Sequence, residues 1–300
     1  MNNILVTGGL GHIGSALIRK LAKHHNVTVV DNFLTQRYCS LFNLKDVKFI
    51  EDSFECVNLG GIDTVIHLAA ITDASRSFSN TAEIDRVNVR ATQGFLKRCR
   101  DTGIELFIFP SSTSVYGVAS DEVFEDDDKY LNPQSPYAES KLTIEESIKQ
   151  ELGDSCKYLI LRLGTIFGTS PGMRFHTVVN KFCYLAALGR PLTVWRDNYE
   201  KLRPYLGIND ACVAIQHLLK NEKYRNETYN VLTLNTRTKD IVQFLNGLVG
   251  VEVEMVDVPL LNQHSYTVSS QKIISTGYFP QDSLLDGIFN TLKLLGTLNK

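Results

Sequence analysis

The strongest constraint on the fold is a short apolar segment, 3–7, that runs directly into Gly8-Gly9-Leu10-Gly11-His12-Ile13-Gly14-Ser15, with a helical pattern after it. Glycine is needed where a chain turns tightly between a strand and a helix, and where a pyrophosphate must approach the backbone closely. The start of the helix offers free N–H groups and the positive end of its dipole to such phosphates. A purely structural turn could use the same glycines, so this stretch alone leaves both interpretations open.

The next apolar segment, 27–31, ends in an acid, Asp31. A carboxylate there can accept hydrogen bonds from both hydroxyls of an adenosine ribose, and it repels the additional phosphate of NADP. Strand, glycines, helix, strand and acid together predict a site for NAD, and Arg37, nearby in the sequence, leaves NADP as the alternative. The cofactor contacts expected from these segments are Gly8, Gly11, His12, Ile13, Gly14, Asp31 and Asn32.

Strand-like and helix-like segments alternate through the first half of the chain. Most strand candidates are short continuous apolar runs, which is typical of strands covered on both faces. They are 3–7, 27–31, 47–50, 63–67, 104–110 and 157–162. Helical patterns occur at 12–25, 81–101, 136–152, 175–189, 209–220, 238–248 and 281–297. This order predicts an α/β fold with a doubly wound parallel (Rossmann) sheet and right-handed crossovers.

The composition argues against several classes of protein. With 31 Lys and Arg against 33 Asp and Glu, the formal net charge is −2, which gives no support for nucleic acid as a partner. No apolar run is long enough to cross a bilayer, and segment 3–7 has no basic and apolar leader ahead of it, so we expect a cytoplasmic protein without a membrane partner. The six cysteines form no C-x-x-C pair and the seven histidines lack metal spacing, which predicts reduced thiols and no metal site.

A tyrosine and a lysine, Tyr137 and Lys141, stand at i and i+4, so they share one face of a predicted helix. A phenol with its reference pKa near 10 is a poor base at neutral pH, but a neighbouring ammonium and a positive nicotinamide ring both favour the phenolate. Four hydroxyl residues, 111–114, follow a strand candidate at the edge where open α/β sheets place ligands. The alternatives are an ordinary helix start and a loop whose hydroxyls cap their own backbone.

Several motifs occur together in the order and spacing of one family. The glycine stretch, Asp31, His67-Leu68-Ala69-Ala70, Asn88, SSTSVYG and YAESK resemble the extended short-chain dehydrogenase/reductases, the NAD-dependent sugar-nucleotide epimerase/dehydratase family. The resemblance implies that Tyr137 is the acid/base and that Lys141 supports it and holds the nicotinamide ribose. It implies that Ser112 is the catalytic hydroxyl, with Thr113 beside it. Further implied cofactor contacts are Asp52, Ser53, Leu68, Ala69, Ala70 and Asn88.

The second half of the chain is similar to the same family. The segment 162–168 resembles the crossing into the substrate region, and the implied substrate contacts are Thr113, Thr165, Arg174, Asn180 and Arg203. Arginine suits a diphosphate because its rigid fork matches phosphate oxygens, and the alternative for both arginines is a surface ion pair. The implied organisation is a Rossmann domain of 1–165 with 205–233, a smaller discontinuous substrate domain of 166–204 with 234–300, and a homodimer pairing through the helices at 81–101 and 136–152.

Two departures from the family pattern bear on the reaction. Thr165 stands where many members carry Asn, and Thr113-Ser114 stand where the 4,6-dehydratases carry an Asp-Glu pair. Elimination of water needs an acid and a base besides the tyrosine, so dehydration is disfavoured. We therefore expect NAD-dependent epimerisation of a sugar nucleotide at position 4, through a bound 4-keto sugar. The alternatives are a 4-ketoreductase that consumes NADH or NADPH and a catalytically inactive dinucleotide sensor, although the intact Ser112, Tyr137 and Lys141 argue against a sensor.

Overall fold

The computed structural model describes residues 1–72, 76–117, 119, 122–126, 128–153, 155–257 and 266–298. The strands are β1 (Asn3–Thr7), β2 (Asn26–Asp31), β3 (Val47–Glu51), β4 (Thr64–His67), β5 (Leu106–Ser112), β6 (Glu122–Val123), β7 (Lys157–Leu163), β8 (Thr165–Phe167), β9 (Leu192–Trp195), β10 (Leu202–Gly207), β11 (Glu227–Val231), β12 (Leu234–Arg237), β13 (Val253–Val256) and β14 (Thr267–Val268). The helices are α1 (His12–Leu21), α2 (Thr81–Ile84), α3 (Thr92–Thr102), α4 (Pro136–Glu151), α5 (Val178–Ala187), α6 (Ile208–Leu219), α7 (Thr238–Val249), α8 (Gln271–Ile274) and α9 (Leu284–Leu294).

Seven of these strands form one parallel sheet in the spatial order β11-β7-β5-β4-β1-β2-β3. The strand order reverses between β1 and β4, and doubly wound sheets bind ligands outside the carboxyl ends of the strands at such a reversal. The turn that follows β1 lies at this point, because β1 pairs with both β2 and β4. The predicted doubly wound fold is confirmed.

Both faces of the sheet are buried. Ile4 and Val6 of β1 belong to one apolar cluster, together with α1 and α6, whereas Leu5 between them belongs to another, together with α3 and α4. All three side chains lack exposed surface. This double burial explains why the strand segments are continuous apolar runs and do not alternate with polar residues.

A second region is built from strands and helices that follow residue 164. β10 pairs in parallel with β8 and antiparallel with β12, and β9 pairs in parallel with β13. Helices α5, α7 and α9 pack against one another around an apolar cluster that includes Phe182, Leu245 and Ile288. The expected domain boundary between residues 204 and 205 falls inside β10.

The predicted helix at 81–101 differs from the structure in its middle. A π-helical turn, Asp85–Ala91, joins α2 to α3, and Asn88 lies within it. The buried Ile84 and Phe95 on either side of this turn and the partly buried Val87 within it keep ordinary helical spacing. The apolar pattern therefore gives no sign of the wider turn.

None of the described helices combines the length and the apolar character that a bilayer crossing requires. Across the same residues, no three His, Cys, Asp or Glu side chains are grouped so that they could hold a metal ion. All six cysteines are free thiols, and only Cys39 and Cys56 are exposed.

Candidate active site

The glycine loop packs so tightly against neighbouring backbone that larger residues would not fit. Gly8 has φ = +64°, and a Cβ on it would lie 2.7 Å from the Cα of Ala69. A Cβ on Gly14 would lie 2.6 Å from the Cα of Gly9, so this glycine allows α1 to approach the loop. Because α1 begins at His12, directly after the loop, its first N–H groups lie where a phosphate can meet them. This cradle fits the pyrophosphate of a dinucleotide.

A second segment, residues 168–174, lies across the glycine loop, and we call it the strap. The N–H of Gly172 donates to Ser15 Oγ over 2.9 Å. A Cβ on Gly172 would collide with the carbonyl oxygen of Leu10. The strap therefore touches the loop backbone directly and needs a glycine at the point of contact.

A buried histidine fastens the strap at its first residue. His12 Nε2 lies 3.0 Å from the carbonyl oxygen of Gly168, and Ser170 Oγ donates to the His12 carbonyl over 2.8 Å. Burial, with a smaller contribution from the charge of Arg174, lowers the pKa of His12 to about 4 against the opposing effect of the hydrogen bond to Gly168. The imidazole is therefore neutral at physiological pH, with Nε2–H as the donor to Gly168.

The acid at the end of β2 is held by backbone donors. Asp31 accepts a hydrogen bond from the N–H of Leu10 over 3.1 Å and another from the N–H of Phe33 over 3.0 Å. A carboxylate has about four acceptor positions, so both oxygens can still accept from ribose hydroxyls. Arg37, which left NADP open as an alternative, donates instead to the strap carbonyl of Gly172.

The other residues expected near the adenosine lie at the same sheet edge. The N–H of Asp52 donates to the carbonyl of Asp31 over 3.2 Å, and Asp52 Oδ1 accepts from the N–H of Ser53 over 2.7 Å. Asn32 Oδ1 accepts from the N–H of Leu34 over 3.1 Å. These three residues follow β2 and β3 and extend the site beyond the glycine loop.

The tyrosine and the lysine share one face of α4, as predicted. Lys141 Nζ donates to the carbonyl of Pro110 over 2.7 Å and lies 4.4 Å from the ring centroid of Phe109. Burial lowers the pKa of Lys141 to about 7. Burial raises the pKa of Tyr137, while the Arg174 charge and a hydrogen bond with Ser112 act in the opposite direction. The hydroxyl of Ser112 and the charge of Arg174 therefore both favour ionisation of the phenol, against its burial.

The hydroxyl residues after β5 have separate roles. Ser114 Oγ donates to Ser112 Oγ over 2.9 Å, which leaves the Ser112 proton available for Tyr137. Thr113 is buried, and its hydroxyl donates to the carbonyl of Leu163 over 3.3 Å. The structure thus places Ser112 next to the phenol and Ser114 behind it.

Asn88 binds backbone behind the cavity wall. Its Oδ1 accepts from the N–H of Ile71 and its Nδ2 donates to the carbonyl of the same residue, both over 2.8 Å. The N–H groups of Leu68 and Ala69 donate to Thr7, which fixes the other end of this turn. Asn88 therefore holds in place the turn after β4, which Ala70 completes.

Asn180 has a similar relation to the strap. It is fully buried, accepts from the N–H of Gly168 over 3.2 Å, and donates to the carbonyls of Gly168 and Arg174 over 3.2 and 3.0 Å. Its amide thus brackets both ends of the strap.

Two arginines line the cavity in different environments. Arg203 on β10 lies 5.3 Å over the ring of Tyr266, and its Nε and Nη2 are buried with no hydrogen-bond partner among the described residues. Arg174, at the end of the strap, donates to the hydroxyl of Thr72. Its charge acts on Tyr137, so Arg174 lies at the catalytic end.

The structure brings most of the predicted residues to the wall of one cavity of about 350 Å³. They are Gly8, Gly11, His12, Ile13, Gly14, Leu68, Ser112, Thr113, Tyr137, Lys141, Thr165, Arg174 and Arg203. The other predicted residues lie behind the wall or farther along the sheet edge.

The cavity wall also contains residues that the motifs did not indicate. They include Thr72, His176, Trp195, Asn198, Thr238 and Tyr266. Trp195 is the single tryptophan of the chain, and this rarity was the only feature of the sequence that could have drawn attention to it. The other residues lie in segments without a distinctive pattern. Among the described residues on the wall there is no Asp or Glu, so the cavity suits an anionic ligand.

Comparison with known proteins agrees with this geometry. The profile of the NAD-dependent epimerase/dehydratase family matches residues 4–231. The chain is 31% identical to an uncharacterised UDP-glucose epimerase of Bacillus subtilis, over 98% of both chains. It is 29% identical to human dTDP-D-glucose 4,6-dehydratase, over 97% of this chain and 89% of that one.

A solved structure gives the same fold over nearly the whole chain. The UDP-glucuronic acid 4-epimerase of Bacillus cereus, in complex with UDP-glucuronic acid and NAD, has a TM-score of 0.87 and 26% identity, over 99% of both chains. The predicted cofactor, NAD, and the predicted sugar-nucleotide epimerase chemistry are confirmed at the level of the family. The glycine loop, the acid at the end of β2 and the tyrosine–lysine pair thus lie in a chain that belongs to the NAD-dependent epimerase/dehydratase family.

Proposed function

We propose that the enzyme inverts the configuration at C4 of a UDP-sugar. The observation that carries the proposal is the set of hydroxyls around Tyr137. Where a dehydratase carries an acid pair, Thr113 donates to a backbone carbonyl and Ser114 donates to Ser112. Because the described cavity wall also has no carboxylate, the site can move a proton at a hydroxyl but has no acid and base for eliminating water.

Each catalytic side chain has one task in this reaction. Tyr137, hydrogen-bonded with Ser112, takes the proton of the C4 hydroxyl and later returns it. Lys141 favours the phenolate by its charge and is held by the carbonyl of Pro110. NAD supplies the hydride acceptor and donor, and Gly8, Gly14 and Asp31 are the residues that would hold it. Inversion requires the sugar to turn over between the two proton transfers while the nucleotide stays bound.

The nucleotide would be held at the other end of the cavity. Nε and Nη2 of Arg203, which have no partner in the part of the chain that the structure describes, can both bind diphosphate oxygens and so form charge-assisted hydrogen bonds. Trp195 on the same wall provides a flat apolar surface for a base.

Arg174 favours a sugar that is itself an anion. Its charge acts on Tyr137, at the end where the sugar reacts, whereas the diphosphate position is given to Arg203. The fork of a guanidinium matches a carboxylate as well as a phosphate. The similar structures from Bacillus cereus and of MoeE5 were both solved with UDP-glucuronic acid. A UDP-hexuronic acid is therefore the preferred substrate that we propose.

The test is to incubate the purified protein, without added cofactor, with UDP-glucuronic acid and in parallel with UDP-glucose. NMR follows the configuration at C4, and absorbance follows reduced nicotinamide. We expect inversion at C4 with no net change in reduced nicotinamide, and a higher kcat/KM for the uronic acid. If both sugars stay unchanged and a 4-keto sugar nucleotide consumes NADH, the ketoreductase alternative replaces epimerisation.

We also propose the division into 1–165 with 205–233 and 166–204 with 234–300, and a homodimer that pairs through the helical segments 81–101 and 136–152. The outward side chains of this helix pair include the exposed Arg86, Arg90 and Lys97 on one helical segment and Glu139 and Glu146 on the other. Opposite charges on the two elements can meet across a two-fold axis. Sedimentation at low and high salt tests the dimer, which should weaken as salt increases.

We also propose a cytoplasmic location, which the free cysteines support.

A further inference from the structure

A buried ion pair lies one helical turn beyond the catalytic lysine. The guanidinium of Arg162 on β7 donates to Glu145 on α4 over 2.7 Å and 3.1 Å, and both side chains are 1% exposed. We propose that Glu145 is a positioning residue for the catalytic groups. It fixes the end of β5 against α4 and favours the ammonium form of Lys141. The inference rests on the proposed function, since it assigns to Tyr137 the proton transfer described above.

Three successive residues at the end of β5 are each bonded to a different residue of α4. The pairs are Pro110 with Lys141, Ser111 with Glu145, and Ser112 with Tyr137. The first and third pairs contain the catalytic groups, whereas the middle pair contains neither. Since Ser111 is covalently joined to both of its neighbours in this row, its bond to Glu145 fixes where the carbonyl of Pro110 and the hydroxyl of Ser112 can lie.

The carboxylate of Glu145 is itself held rigidly. Arg162 binds it from β7 and uses its remaining donor for the hydroxyl of Tyr116, over 2.9 Å, and the carbonyl of Glu125, over 3.2 Å. Tyr116 in turn donates to Asn230 over 2.7 Å. Because Arg162 lies on β7 and is connected through Tyr116 to Asn230 on β11, the carboxylate that it binds cannot follow movements of α4 alone. Glu145 therefore transmits the position of the sheet to the catalytic row.

The charges that face Lys141 come from three sides. Tyr137 and Glu145 share its helix, Arg174 reaches it from the strap, and His67 lies on β4. Burial lowers the pKa of Lys141, Glu145 raises it, and Arg174 lowers it. Burial lowers the pKa of His67 to about 3, so this imidazole is neutral. Glu145 is thus the group that favours the ammonium over the free amine.

Loss of the Glu145 charge should therefore act on Tyr137 through Lys141. If the ammonium loses its proton at lower pH, the phenolate loses a stabilising charge and the pKa of Tyr137 rises. In turnover, the pH above which kcat falls should move down, because that fall reports the loss of the ammonium. A residue that only stabilises the fold would move neither quantity.

The first experimental arm separates positioning from stability. Ser111→Ala removes the hydroxyl between β5 and Glu145 and leaves the ion pair intact. Ser147→Ala, on the same helix but bonded to Gln93 and Thr143, is the matched control. We expect Ser111→Ala to lower kcat roughly 10- to 100-fold, with KM and Tm unchanged, because misplacement of catalytic groups costs rate and not binding. Ser147→Ala should leave kcat unchanged.

The second arm tests the charge. Glu145→Gln alone would leave Arg162 buried and unpaired, so it is combined with Arg162→Met. The phenolate of Tyr137 is titrated by ultraviolet difference spectroscopy in the NAD-bound protein, with Tyr137→Phe in each background as the blank. We expect the midpoint to rise by about one pH unit in the double variant, and the alkaline fall in kcat to move to lower pH.

The outcomes separate the inference from the function on which it rests. If the double variant leaves the phenolate midpoint of Tyr137 unchanged, the proposed role of the Glu145 charge is wrong. If Ser111→Ala has the same kcat as Ser147→Ala, the proposed positioning role is wrong. If the double variant does not fold, Ser111→Ala alone decides. If the unsubstituted protein epimerises no sugar nucleotide, the proposed function fails, whereas the phenolate titration still tests Glu145.

Discussion

The two ends of the cavity differ in how far their polar groups are already satisfied. At the catalytic end, Lys141 binds the carbonyl of Pro110 and Tyr137 is hydrogen-bonded with Ser112. At the end that we assign to the nucleotide, Arg203 keeps two buried donors with no partner among the described residues and lies over the ring of Tyr266.

This difference corresponds to the difference between catalysing a reaction and binding a ligand. Catalytic groups accelerate a reaction most when their geometry is set before the substrate arrives, since no reorganisation is then needed in the transition state. Binding groups can remain incomplete, because the ligand supplies the missing hydrogen bonds and gains affinity from them. We therefore expect substitutions at the catalytic end to change kcat and those at the nucleotide end to change KM.

The largest effect should come from Tyr137→Phe, which removes the phenolic hydroxyl and little volume. Without a proton acceptor, kcat should fall by roughly two to four orders of magnitude, while NAD binding and Tm stay the same. Steady-state kinetics and a thermal melt with NAD check this expectation. Tyr184→Phe, at an exposed tyrosine that does not line the cavity, is the control. Similar turnover in both variants would place the acid/base elsewhere.

Arg203→Met should affect the other end. Loss of charge-assisted hydrogen bonds to a diphosphate should raise KM about 10- to 100-fold, with kcat nearly unchanged. Arg190→Met, on an exposed arginine, is the control for the loss of a positive charge. A large fall in kcat without a change in KM would abolish the distinction between the two ends.

Asp31→Asn tests the cofactor side. The change keeps the shape of the side chain but removes the charge that repels the additional phosphate of NADP. Calorimetric titration should therefore show that the affinity for NAD falls about tenfold and that the difference between the affinities for NAD and NADP becomes smaller. Asp46→Asn, at an exposed residue in the left-handed conformation that asparagine tolerates, is the control. Tighter binding of NADP than of NAD by the unsubstituted protein would contradict the assignment of Asp31.

The last expected effect is on stability and not on turnover or binding, and it is a pH dependence of the free energy of unfolding. The pKa of Lys141 falls from 10.5 to about 7 on folding, so between these values the unfolded chain binds a proton that the folded chain does not. The free energy of unfolding of the NAD-free protein therefore gains from Lys141 as pH rises from 7 to 10.5, by at most about 1.4 kcal/mol per pH unit. Lys141→Met should remove this gain and Arg203→Met should not. Chemical denaturation at several pH values measures how the free energy of unfolding of each variant changes with pH. If Lys141→Met and the unsubstituted protein have the same slope, burial does not lower the pKa of Lys141.

Local sequence predicted the catalytic end better than the rest of the site. The glycine loop and the Tyr137–Lys141 pair are read from residues a few positions apart, because strand-to-helix turns and helical spacing are local properties. Asp31 and the doubly wound order followed from apolar runs that burial on both faces requires.

Features that depend on distant parts of the chain were not predictable in this way. The π-helical turn around Asn88 leaves the apolar spacing intact, and the contact of Gly172 with Leu10 joins segments far apart in sequence. Trp195 reaches the wall at the end of β9, and Tyr266 reaches it through an apolar cluster with Val115 and Tyr116. Arg203 was indicated by its family motif, but its unpartnered donors were visible only in the structure.

The strap has a consequence for the order in which the protein is made. The glycine loop is synthesised early, yet Gly172 and Gly168 contact it from more than 150 residues later, through Ser15 and His12. The N-terminal strands leave the ribosome well before the strap does, and contacts of such wide separation form late because long loops must first be closed. A nascent chain that ends before residue 168 would thus carry an uncovered cradle. Tight retention of NAD should therefore begin only after the strap has emerged from the ribosome. Bound NAD would then indicate that the strap has already folded over the glycine loop.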